Sequence, residues 1–444
     1  MASPPRTAKP LDRAIVEGPI PRAVWKLAWP TMLQNVIAGI QGVVDHALVG
    51  RFVGFTGNAA IGVSLQIFIV VIVFLNSLFT GMSVLVARFA GANEPDKVNR
   101  TVYQAFIASV AICFGVLAPL GWALSPMLLR LVNATPAVRA EALPYLRTMF
   151  VFGFGMMLFF MFSAALRSAG DARTPLRLGI VLTALNVIFN VIFIRGWGPI
   201  PAYGTLGAAI GVSVAGAIVC LIALYLLCSG RLVVVWRLGH GGMDWRPDWT
   251  IIRSLFRFGL PTGVQGIAMN VGGVLLLRYI GSVAQSAEAQ AAYAVGYTEL
   301  FSLITWTSVG LLGAAATVAG QNLGAGKPER AIHGVHVTAG IGLGVAATVA
   351  ILFLAIPGQL LGLFGMSDPA LVQIGTQLLH FLSLSGLFVT VALTYTGALQ
   401  GSGDTKSPLY ISLISQLLLP IGLCAFLNAH RRLEPADIWL AILL

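Results

Sequence analysis

Long apolar runs separated by short polar connectors make up most of the chain. Runs long enough to cross a bilayer, roughly 20 residues each, are predicted near 25–50, 58–87, 101–126, 143–166, 176–195 and 205–228. A polar-rich connector follows at 229–253, with Arg231, Arg237, His240, Asp244, Arg246, Asp248 and Arg253. Further runs lie near 255–280, 289–319, 331–355, 370–399 and 408–428. A last run starts at Leu433 and offers about 12 residues, or roughly 18 Å of helix at about 1.5 Å per residue, too short to span. The pattern predicts an all-α polytopic membrane protein of twelve transmembrane helices, the last incomplete in this chain. Its expected parts are an N-terminal lobe at 1–228, a cytoplasmic linker at 229–253 and a C-terminal lobe at 254–444.

The two halves repeat one another. Ala165-Leu-Arg-Ser-Ala-Gly-Asp-Ala-Arg-Thr-Pro-Leu176 returns as Ala398-Leu-Gln-Gly-Ser-Gly-Asp-Thr-Lys-Ser-Pro-Leu409, with Gly170 over Gly403, Asp171 over Asp404 and Arg173 over Lys406. The same offset of 233 residues pairs Gly91 with Gly324 and Pro95 with Pro328, and Pro30 pairs with Pro261 at an offset of 231. An even number of helices separates equivalent points, so the copies share one orientation in the membrane and are related by a parallel pseudo-two-fold axis. Repeats of this kind often enclose a substrate path between them. The Gly-Asp-x-Arg/Lys-x-Pro segment reads as a tight charged turn, with Gly allowing the turn and Pro starting the next helix.

Composition agrees with a lipid-facing surface: 57% of residues are hydrophobic, 10% are charged and the mean hydropathy is +0.87. The formal charge of +11 would suggest nucleic acid on a soluble domain. Here the basic residues sit in connectors, and most of the 27 Lys and Arg fall on one side if the N-terminus is cytoplasmic. That is the positive-inside asymmetry of a multi-pass protein of the cell (inner or plasma) membrane, with no nucleic-acid partner. The first apolar run has no small-residue cleavage site and reads as an uncleaved span. Cys113, Cys220, Cys228 and Cys424 lie in apolar runs without metal-ligand spacing, so neither a zinc site nor a disulfide framework is expected. Gly324-Ala-Gly-Lys327 is followed by Pro328 and lacks the preceding glycine of a phosphate loop, which leaves no support for ATP hydrolysis.

Two acidic residues stand well inside apolar runs, Asp45 in the first and Glu299 in the eighth. An acid costs a few kcal/mol at the bilayer centre, so each should face a cavity or a partner. Asp45, beside His46 and after Gln34 and Gln41, can take up and release a proton or hold a cation. Asn186 and Asn190, four apart in the fifth run, share a helix face and can contact a cation or Asp45, or hydrogen-bond to a neighbouring helix. The equivalent positions in the second half, Leu419 and Leu423, are apolar, so the expected polar site belongs to the first half. Pro30 either bends the helix carrying Asp45 or simply starts it. Gln34, His46, Gln265 and Glu299 are further candidates for a substrate cavity, and His380 reads as a packing residue.

Leu27-Ala-Trp-Pro30, Asp45-His-Ala-Leu-Val-Gly-Arg51, Ala165-Leu-Arg-Ser-Ala-Gly-Asp171, Asn186 with Asn190, and Val318-Ala-Gly-Gln-Asn-Leu-Gly-Ala-Gly326 occur in the order found in the multidrug and toxic compound extrusion (MATE) family. The chain resembles that family over nearly its whole length. The resemblance implies two lobes forming a V, acting as a monomer without a cofactor to export cationic or amphipathic small molecules. Inward H+ or Na+ would drive the export, with Asp45 as the first-helix acid and Pro30 as the bend proline. One branch has an acid where this chain has Asn190, which leaves a single carboxylate in the expected site. A flippase for lipid-linked sugars is the alternative within the same superfamily, but it would need several Arg in its central cavity, and mid-span basic residues are nearly absent. A membrane-embedded prenyl transferase would need paired acidic motifs for magnesium, and the loops hold only isolated Asp171 and Asp404.

Overall fold

The computed structural model describes residues 11–132, 134–236 and 246–444. In chain order the helices are α1 (Ala14–Glu17), α2 (Ile20–Phe52), α3 (Phe55–Gly91), α4 (Pro95–Leu131), α5 (Pro136–Phe152), α6 (Phe154–Ser168), α7 (Arg173–Arg195) and α8 (Thr205–Cys228). They continue with α9 (Trp249–Ile280), α10 (Ser286–Gly324), α11 (Pro328–Ala355), α12 (Pro357–Gly362), α13 (Pro369–Ser402), α14 (Lys406–His430) and α15 (Pro435–Leu443). Proline opens α4, α5, α11, α12, α13 and α15, where its missing N–H costs nothing. Asp248 and Asp368 cap α9 and α13 by accepting bonds from the first-turn amides.

Among the described residues nine helices are long and apolar enough to cross a bilayer, and α5 with α6, bent by 48°, make a tenth span. The sequence predicted one continuous span there; Gly153 between the two phenylalanines is where it breaks. The first predicted span, α2, has the length at 33 residues but not the hydropathy, since Gln34, Asn35, Gln41, Asp45 and His46 all lie on it. It does not break at Pro30, where the Thr31 hydroxyl bonds to the Leu27 and Ala28 carbonyls of the preceding turn.

Two large hydrophobic clusters fill the molecule, one from Val49 to Leu255 and one from Leu276 to Ala441. The connector after α8 is less free than its polar sequence suggests. Leu232, Val233, Val234 and Trp236 are buried in the first cluster, with Trp236 packed on Tyr103, Phe106 and Phe162. Residues 237–245 of that connector, and the basic residues Arg6 and Lys9, lie outside the described residues.

The repeat is visible in the backbone. Gly170 and Gly403 both have positive φ, +100° and +93°, and so do the equivalent Asn93 and Gly326, at +60° and +70°. Asp171 accepts from the amides of Arg173 and Thr174 and from the Thr174 hydroxyl; Asp404 does the same with Lys406 and Ser407. The bonds from Ser407 hold the Asp404 carboxyl below its ordinary value. Both aspartates therefore cap a helix at a tight turn.

On the side of these turns the halves cross at α3 and α10. A Cβ on Gly91 would collide with the Gln321 carbonyl, and one on Gly324 with the Arg88 carbonyl. Those residues are themselves equivalent at the 233-residue offset, so the crossing obeys the pseudo-two-fold axis. Just beneath it α1 is docked on the second half. Asn322 donates to the Ile15 carbonyl, Lys327 to that of Val16, and Arg330 to those of Ile15 and Gly18. A third, small cluster joins Ile15, Val24, Leu27, Ala28 and Met32 to Leu311, Ala314 and Val318.

Sidedness is open to a direct check. Arg173 and Lys406 are exposed equivalents beside the two turns, whereas Ser168 is buried and a poor labelling position. With exposed Cys228 replaced by Ser, cysteines at Arg173 and Lys406 should both resist an impermeant thiol reagent added outside intact cells. Labelling of only one of them would contradict the parallel repeat.

Candidate functional site

A cavity of about 450 Å³ lies between the halves, walled by α2, α3, α6 and α7 on one side and α10 and α13 on the other. Its volume suits a small organic molecule. Phe79, Met156, Phe159 and Phe160 give it apolar walls, while Gln34, Asn35, Gln41, Asn76 and Thr183 supply amides and a hydroxyl.

Asp45 sits next to this space without lining it, one turn beyond Gln41 on α2. It is half-buried, and its Oδ1 accepts a hydrogen bond of 2.8 Å from Asn190 Nδ2. The same Nδ2 donates to Asn186 Oδ1 at 3.2 Å. Asn186 and Asn190 are almost wholly buried on α7, so the helix spacing does bring both amides and the carboxylate together. Asn190 Oδ1 and Asn186 Nδ2 have no partner among the described residues, an unusual state for buried amide atoms that leaves unused acceptor and donor capacity beside the acid. A Cβ on Gly211 would collide with Asn190 Oδ1, so glycine there is what gives the amide its seat.

Two residues at the site were not among the candidates drawn from the sequence. Tyr145 of α5 is buried within electrostatic reach of Asp45. Gln41 accepts from the Thr183 hydroxyl at 2.8 Å and stands one turn before Asp45 on α2, near enough for its amide to act on the carboxylate. It therefore belongs to the cavity wall and stands beside the acid. Thr183 bonded to Gln41 thus adjoins, one helical turn away, the bonded group Asp45, Asn190 and Asn186. The amphipathic pattern of α2 flagged Gln41 as polar but could not say which neighbours it met.

Of the four residues expected in a cavity, Gln34 lines this one and the other three do not. His46 Nδ1 pairs with Asn58 Oδ1 at 2.6 Å. Glu299 is half-buried in a π-helical stretch of α10, Ala294–Leu300, outside the lining. Gln265 is the repeat equivalent of Gln34, yet it is buried and bonded to the Ser412 hydroxyl at 2.6 Å. The reason is the facing residue. Ser412 corresponds to Gly179, which lies opposite Gln34 and offers no hydroxyl, so Gln34 Oε1 stays without a partner among the described residues.

The family model described as MatE matches residues 30–192 and 261–426. A probable multidrug resistance protein NorM of Thermotoga maritima is 29% identical, over 88% of this chain and 82% of its own length. A protein of the same description from Deinococcus radiodurans is 28% identical, over 95% of this chain and 91% of its own length. Among solved structures, the outward-facing conformation of a multidrug resistance MATE family transporter of the MOP superfamily superposes with a TM-score of 0.89. It is 20% identical and covers 99% of this chain and 94% of that one.

Proposed function

The chain belongs to the MATE family of multi-pass membrane transporters, and on that premise we propose that it is a secondary transporter exporting small amphipathic molecules by antiport with H+ or Na+. The NorM relatives are described as multidrug resistance proteins, which supports export of several compounds rather than one metabolite. The observation that carries the coupling is the bonded group of Asp45, Asn190 and Asn186, which stands one helical turn from Gln41 in the cavity wall.

In the proposed cycle an ionised Asp45 accepts from both Asn190 and Gln41. A proton or cation at the carboxylate takes away acceptor capacity, and a protonated Asp45 becomes a donor for the unused Asn190 oxygen once that amide turns over. Gln41 is then released, which changes the polarity and shape of the cavity where the molecule is held. Substrate binding and ion binding become mutually unfavourable, as antiport requires. Residues 1–228 and 254–444 act as the two moving lobes, and the α3–α10 crossing is the contact that opens in the other state. The protein works as a monomer with its N-terminus in the cytoplasm.

Counterflow of a fluorescent amphiphile in proteoliposomes tests this. A proton gradient and a sodium gradient are applied in turn, and at least one should drive uptake into inverted vesicles above the level of empty liposomes. Uptake that ignores both gradients would refute antiport.

A further inference from the structure

The sequence places Arg167 among the basic residues of a cytoplasmic connector, but the structure puts it in the last turn of α6, where it lines the cavity. It is the one charged side chain among the described lining residues, and no carboxylate stands with it. Its guanidinium has no ion-pair or side-chain hydrogen-bond partner among the described residues. A charged group at membrane depth is retained where it meets a partner or a water-filled space. Here that space is the cavity.

The repeat shows that this arrangement is one-sided. The equivalent of Arg167 is Gln400, which lines the same cavity from α13 and is neutral. The residue that Arg167 rests on also differs between halves. Arg167 Nε would lie only 3.2 Å from a Cβ on Gly313 of α10, so glycine there leaves room for the guanidinium to reach across to the second half. The equivalent of Gly313 is Thr80, which carries a side chain into the same cavity. One copy of the repeat thus pairs Arg with a glycine seat, and the other pairs Gln with Thr. A guanidinium offers a planar fork of N–H donors suited to a carboxylate, sulfonate or phosphate.

We propose that the cavity binds amphipathic molecules carrying an anionic group, zwitterions included, and that Arg167 holds that group. The aromatic wall of Phe79, Phe159 and Phe160 takes the apolar body, and the Gln34, Asn76 and Gln400 amides add neutral donors and acceptors. A purely cationic molecule meets no counter-charge in this space and is repelled by Arg167. The inference rests on reading this cavity as the substrate site.

Rhodamine 19 and its ethyl ester rhodamine 6G are a matched pair of probes, the first a zwitterion with a free carboxylate and the second a cation. Equilibrium binding to the full chain in detergent, followed by fluorescence polarisation without any gradient, should favour rhodamine 19 by about tenfold or more. Arg167→Gln should bring the ratio near one, chiefly by weakening rhodamine 19, and Arg167→Lys should keep part of the preference. Gly313→Leu, which retains the arginine but fills its seat, should also lower the ratio. Equal binding of the two probes to the wild type, or an equal loss of both in Arg167→Gln, overturns the proposal. Gradient-driven export is measured separately on the same pair. A carboxylate preference without export sinks the exporter reading and leaves the anion site, while export of rhodamine 6G without any preference does the reverse.

Discussion

Asp45→Asn is expected to bring gradient-driven export down to the level of empty liposomes while leaving the fold intact and a cavity probe still able to bind. The asparagine fills the same space and can still accept from Asn190 Nδ2, so the local packing has no reason to change. It cannot gain or lose a proton near neutral pH, and it offers a cation no charge. Because Asp45 does not line the cavity, the probe should still bind, but its affinity should no longer respond to pH or sodium, since position 45 is fixed in a neutral state. Loss of transport with retained binding is the signature of a coupling residue. Export at the wild-type rate would move the coupling site elsewhere, with Glu299 the next membrane-embedded acid to test. Two further variants read the same site from its neighbours. Asn190→Asp puts a second carboxylate against Asp45; the two then share a proton and titrate as a pair, which should displace the pH dependence of export. An unmoved profile would mean that these positions do not share the coupling proton. Gln41→Ala should spare Asp45 but cut its link to the cavity, giving downhill leakage of substrate with fewer ions exchanged.

The second large effect is expected at the α3–α10 crossing. Gly324→Ala places a methyl group against the Arg88 carbonyl, and Gly91→Ala places one against that of Gln321. Backbone atoms cannot move aside as a flexible side chain would. Overpacking of this kind typically costs about 1–3 kcal/mol. That cost falls only on the state in which the two helices touch, so it should move the conformational equilibrium by roughly 5–150-fold toward a state in which they separate. Spin labels at Asp96 and Glu329, exposed repeat equivalents beside the crossing, would report it as a gain in the longer distance. Gly340→Ala is the control, since nothing lies within 4 Å of a Cβ there. The double variant should give less than the sum of the two, because both act on one contact. Distance distributions identical to wild type would show that this crossing does not open.

The spans, the repeat and the turns were legible in the sequence because each depends on local properties of the chain. A run of apolar residues long enough to cross a bilayer needs no knowledge of its neighbours, and Gly170-Asp171 and Gly403-Asp404 announce the same capped turn wherever they are placed. Spacing alone also put Asn186 and Asn190 on one helix face, and the cost of a membrane-embedded acid singled out Asp45. Lateral packing decided the rest. Gln34 and Gln265 have equivalent sequence surroundings, yet one faces open space and the other is tied to Ser412, because the facing helix carries glycine in one half and serine in the other. Arg167 and Gln41 followed the same rule. Their residue types were visible from the start, but whether a polar side chain ends in a connector, against a partner or in a cavity depends on residues far away in the chain. Helix periodicity fixes which side chains share a face; only the close approach of the two halves, set by glycines such as Gly91, Gly313 and Gly324, determines what that face meets.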